Sequence, residues 1–102
     1  MLLSNLSKVI SVKKIYNFNK NKYFSAITSN SKFTNNKTLF VYDKNKRVKK
    51  IYLDEALKNK TPAIISNKYI NNLKIPQFVV SNINFETYSL LNKLHNNLPF
   101  KT

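Results

Sequence analysis

The sequence predicts an α/β chain of the α+β kind, a small mixed β-sheet flanked by helices, and three observations carry that prediction. Apolar runs of strand length alternate with helical periodicities in the order helix, strand, strand, helix, strand, strand, helix. The run Thr38–Tyr42 (TLFVY) is almost continuously apolar, as a strand covered on both faces must be. A length of 102 residues, with 42% hydrophobic and 13% aromatic content, suffices for one domain with a modest core and lies outside the disordered range. A single domain over 1–102 is expected.

The elements follow in order. Leu2, Leu3, Leu6, Val9 and Ile10 recur at helical spacing and predict a short amphipathic helix. A polar stretch rich in Asn and Lys then runs to Lys22. Residues 23–29 (YFSAITS) suit a strand, 30–37 a polar turn, and Thr38–Tyr42 a second strand. A cationic loop over 44–50 leads to a helix over 51–58. Asp54 and Glu55 are placed toward its start and Lys58 and Lys60 at its end, with Pro62 as the stop. Residues 63–66 (AIIS) and 77–81 (QFVVS) are further strands, separated by a loop ending at Pro76. Asn84 is the expected N-cap of a last helix whose apolar face is Tyr88, Leu90, Leu91 and Leu94. Most tyrosines and phenylalanines alternate with apolar residues and are expected in the core.

Composition excludes several chemistries. With no cysteine there are no disulfides or thiolate metal sites, and His95 alone cannot make a histidine metal site. His95 falls near the end of the last helix, where a cation suits the dipole. The four carboxylates are Asp43, Asp54, Glu55 and Glu86. Glycine is absent where average usage would give about seven. A glycine-rich phosphate loop needs backbone conformations that only glycine adopts comfortably, so this chain holds neither a Walker loop nor a dinucleotide fingerprint. No catalytic residue is expected in it.

The net charge of +14 predicts attraction to anions without naming one. Lysine supplies 17 of the 18 basic residues and Arg47 is the only arginine; Asn is as abundant as Lys, the bias that AT-rich codons produce. Arginine is the residue that reads bases bidentately. With no zinc pattern and no arginine cluster, a small basic nucleic-acid- or ribosome-associated protein is the first alternative reading, with nucleic acid the less expected partner. A degenerate remnant that folds and binds nothing is the second. No stretch has the length of a membrane-spanning helix, so no membrane partner is expected. Residues 1–42 contain no acid, but a targeting segment would be rich in arginine, so a folded start is expected there.

From about Ile27 to Pro99 the order of segments resembles the N-terminal domain of the Mur ligases, MurE above all. Thr28-Ser29-Asn30-Ser31-Lys32 stands where that family has a T-x-D-S-R motif, and Lys37-Thr38-Leu39-Phe40-Val41-Tyr42 where it has a G-D-L-F-V-A strand. Leu53-Asp54-Glu55-Ala56-Leu57 matches the helix containing E-A, Ala63-Ile64-Ile65-Ser66 the A-I-V strand, and Ile75-Pro76-Gln77-Phe78-Val79-Val80 the I-P-V-I-V-V strand. The signal lies in the order of these segments over roughly seventy residues rather than in any single piece. The Asp and Arg of D-S-R are here Asn30 and Lys32, and the loop glycines fall on Asn45 and Lys50.

The resemblance implies a fold like the MurE and MurF N-terminal domain and a cytoplasmic protein of peptidoglycan biosynthesis. The implied role is recognition, gripping the UDP end of a UDP-MurNAc-dipeptide to which the whole ligase adds diaminopimelate or lysine. It implies UDP contacts at Ser29 and Ser31 and at Asn45, Lys46, Arg47 and Val48 in the loop after the second strand. A hydroxyl can bond a diphosphate oxygen or a uracil edge, and clustered cations suit diphosphate charge. This chain itself is expected to hold no cofactor. ATP and Mg are expected in the central domain, which together with a C-terminal domain would lie beyond Thr102 as the partner of this one.

Overall fold

A computed structural model of the protein describes residues 1–46 and 50–96. It is a mixed α/β fold built on one five-stranded sheet. The strands are β1 (Lys14–Tyr16), β2 (Ala26–Thr28), β3 (Thr38–Tyr42), β4 (Ile64–Ser66) and β5 (Gln77–Val79), in spatial order β1-β5-β4-β3-β2. Strands β2 to β5 run parallel; β1 runs antiparallel against β5. The helices are α1 (Leu6–Val9), α2 (Lys50–Lys58) and α3 (Ile83–Asn96), with single 3-10 turns at Leu3–Asn5 and Ser31–Phe33.

Register explains the two-faced core. Phe40, Ile64 and Gln77 are level across β3, β4 and β5, and so are Val41, Ile65 and Phe78. Side chains alternate along a strand, so the two rows point to opposite faces. Leu39, Val41, Ile65 and Phe78 pack with Leu3, Leu6, Ile10, Ile83 and Leu90 beneath α1 and α3. On the other face Phe40, Tyr42 and Ile64 pack with Leu53 and Ala56 of α2 and with Ile70 and Leu73 of the following loop. Every residue of Thr38–Tyr42 is buried, as its composition predicts. The first ten residues are part of this core, since Leu3, Leu6 and Ile10 are buried.

Five expectations are corrected. The polar stretch before Lys22 contains β1, an exposed edge strand whose lysine-flanked sequence carries no burial pattern. Asp54 and Glu55 lie in the interior of α2, whose first turn holds no acid. The N-cap of α3 is Asn82, not Asn84: its Oδ1 accepts from the Phe85 amide at 3.1 Å. The buried face of α3 runs through Ile83, Glu86 and Leu90 with Leu94 half-buried, leaving Tyr88 and Leu91 exposed. The aromatics divide likewise. Phe24, Phe40, Tyr42 and Phe78 are core, whereas Tyr23, Phe33, Phe85 and Tyr88 are more than half exposed.

Without glycine, left-handed backbone falls to other residues: Asn17, Lys60 and Asn72 have positive φ. Asn tolerates this region best after glycine. Lys60 closes α2 with a Schellman-type cap, the Lys60 amide donating to Leu57 O and the Thr61 amide to Ala56 O.

Candidate functional site

The carboxyl ends of parallel strands collect the loops that leave a sheet, and ligands of open α/β sheets bind there. Here β2 ends at Thr28 and β3 at Tyr42, so Ser29 and Asp43 are the first residues past the two strands. Between them and α3 lies a cleft of about 390 Å³ lined by Ser29, Val41, Asp43, Lys46, Ile83, Asn84, Thr87, Tyr88 and Leu91.

The turn after β3 is held by its own side chains. Asp43 Oδ1 accepts from the Asn45 amide at 2.9 Å and from Asn67 Nδ2 at 2.6 Å. Asn67 Oδ1 accepts in turn from the Lys44 amide at 2.9 Å, and the Lys46 amide donates to Asp43 O at 3.2 Å. An Asx turn braced from the end of β4 thus fixes the backbone that carries Lys46. Opposite it, α3 turns its Tyr88 and Leu91 flank to the cleft. Thr87 Oγ1 is buried there and has no hydrogen-bond partner among the described residues.

A neighbouring hollow of about 360 Å³ is lined by Ser29, Asn30, Ser31, Lys32 and Tyr52. Ser31 is buried, and its hydroxyl donates to Glu55 Oε1 at 2.5 Å. Asn59 Nδ2 reaches Ser31 O at 3.2 Å and Thr34 Oγ1 at 3.3 Å, so α2 clamps the turn from its inner side. Asn30 Oδ1 accepts from the Lys32 amide, which orders the start of the turn.

The six positions implied by the resemblance therefore separate. Ser29 and Lys46 line one cleft. Asn45 is exposed in the braced turn beside it. Ser31 lies in the adjoining hollow with its hydroxyl committed to Glu55, while Arg47 and Val48 fall outside the described residues. Sequence reasoning missed Asp43, Asn67 and the flank of α3. The Asp43-Lys44-Asn45 pattern is an Asx-turn signal that could have been read. The α3 flank was concealed because Tyr88 and Leu91 satisfy a helical period as well as the buried row does.

Among the described residues no group of three or more His, Cys, Asp or Glu side chains could hold a metal ion. No described helix is long and apolar enough to cross a membrane. Compared with models of protein families the chain matches none, and no curated protein matches it.

Proposed function

We propose that this domain grips the uridine-diphosphate end of a UDP-MurNAc-peptide, as the substrate-recognition domain of a cytoplasmic, ATP-dependent Mur-type ligase of peptidoglycan synthesis. One observation carries the reading. Ser29 and Lys46, drawn from the two segments where the resemblance expects UDP contacts, line a single cleft at the carboxyl edge of the parallel strands. Lys46 supplies a cation for a diphosphate oxygen, and Ser29 and the unpartnered Thr87 hydroxyl supply hydrogen bonds to ribose or uracil. Tyr88 and Leu91 offer an apolar wall to the base. Ser31 serves on this reading as a brace for the turn rather than as a ligand contact. ATP and Mg belong to the central domain of such a ligase; nothing in this glycine-free chain resembles a phosphate loop.

Calorimetric titration with UDP tests the assignment. Binding is expected, and Lys46→Glu should weaken it by about tenfold, a charge-assisted contact's worth, while Lys93→Glu on the far end of α3 changes it little. UDP binding that ignores Lys46→Glu, or no binding at millimolar UDP, sinks the reading.

The exposed Phe33, Phe85 and Tyr88, beside a charge of +14, favour a second reading as a basic RNA-associated protein. It requires RNA affinity that falls steeply across a salt series.

A further inference from the structure

At the opposite edge of the sheet, where β2, β3 and β4 begin, a hollow of about 400 Å³ is lined by Lys22, Tyr23, Asn36, Lys37, Lys60 and Pro62. We infer that it is a second anion site, one that takes a nucleoside phosphate, the phosphate on the three lysines and the base against Tyr23.

Three segments meet there, each pinned through its backbone. Lys22 O accepts from the Leu3 amide at 2.9 Å, and Lys37 O from the Ser25 amide at 2.8 Å. Thr61 Oγ1 donates to Thr38 O at 2.7 Å and ties the Lys60 turn to the start of β3. The lysines are therefore mounted on ordered chain, which lowers the entropy lost when they close on a ligand. Among the described residues no carboxylate lines the hollow, in contrast to the cleft at the other edge, where Asp43 accompanies Lys46. Three like charges thus share one concavity with no counter-charge among the described residues, an arrangement that an anion relieves.

The apolar part is equally specific. Tyr23 follows Lys22 and precedes the fully buried Phe24, and its backbone bridges Leu2, yet its own side chain is 55% exposed. Pro62 lines the hollow but is fully buried, so the face offered to a base is the Tyr23 ring. An exposed aromatic ring in one hollow with three lysines matches a base joined to a phosphate.

The test is an amide NMR titration of the full chain with uridine monophosphate, with pyrophosphate and with sodium chloride at matched ionic strength. Both phosphates should shift the amides of Lys22, Tyr23, Asn36, Lys37 and Lys60, and chloride should not. The double variant Lys37→Gln, Lys60→Asn should abolish those shifts; Asn suits the left-handed backbone at position 60, so the fold is kept. Tyr23→Ala should weaken the nucleotide by about tenfold and leave pyrophosphate unchanged. Shifts reproduced by chloride, shifts that survive the double variant, or equal loss of both phosphates in Tyr23→Ala would each overturn the inference. The amides of Ser29 and Lys46 report separately on the UDP cleft, so either proposal can fail without the other.

Discussion

Ser31 and Thr87 are two hydroxyls with opposite circumstances, and their substitution should move stability in opposite directions. The Ser31 hydroxyl donates to a carboxylate and sits in a turn clamped by Asn59. Ser31→Ala should cost about 1.5 to 3 kcal/mol, the range for a hydrogen bond to a charged group, read as a lower denaturation midpoint with an unchanged m-value. A neutral result would mean that Glu55 finds an equal partner in water. Thr87 Oγ1 is buried with no partner among the described residues. Thr87→Val keeps the shape and removes the orphan, so it should raise stability by about 1 kcal/mol and at the same time weaken UDP binding. Gain of stability without loss of binding would remove Thr87 from the proposed contacts. Neither role was legible in the sequence. A serine and a threonine carry no sign of their partners, and Asn30 before Ser31 signals a turn but not the Glu55 contact.

Among the elements, the loop between β4 and β5 shows how a strand residue can organise irregular chain. Gln77 is fully buried, its Oε1 accepting from the Ile70 amide and its Nε2 donating to Ile70 O, both at 2.9 Å. The side chain thus acts as one more strand for a segment that has none. Gln77→Ala would strand two buried backbone groups and should cost about 2 to 6 kcal/mol by summing their desolvation penalties. Hydrogen exchange at the Ile70 amide should then accelerate more than exchange at Val41 in the sheet centre. Equal acceleration would place the effect in global stability rather than in this loop. The central strands were legible because burial on both faces forces a continuous apolar run, as in Thr38–Tyr42. β1 was not, because an edge strand needs only backbone pairing, and Lys13 and Lys14 leave it no apolar alternation. Exposed charge of that kind also discourages pairing with another chain. The turn after β3 was legible as a loop, but its bracing by Asn67 depends on a residue 24 positions from Asp43.

At the scale of the whole molecule, charge and topology separate into two ends. The carboxyl edge of the parallel strands carries a cleft with one lysine, one aspartate and the apolar flank of α3. The amino edge carries three lysines around Tyr23 and Pro62. Composition announced the excess of cations but not their distribution, which follows from strand direction: loops entering β2, β3 and β4 collect at one edge and loops leaving them at the other. The parallel strands and the order of their elements were likewise legible, while the assignment of Tyr88 and Leu91 to cleft rather than core required the packing of α3 against β2.

UDP titrated into the isotope-labelled full chain and followed at every amide tests the central claim most directly. Shifts should concentrate at Ser29, at Asp43 through Lys46, and at Asn84, Thr87 and Tyr88, saturating with one dissociation constant. A spectrum that stays unchanged at millimolar UDP, or one that shifts only around Lys22, Lys37 and Lys60, would contradict the claim that this domain holds the uridine-diphosphate end of a ligase substrate in the cleft of β2, β3 and α3.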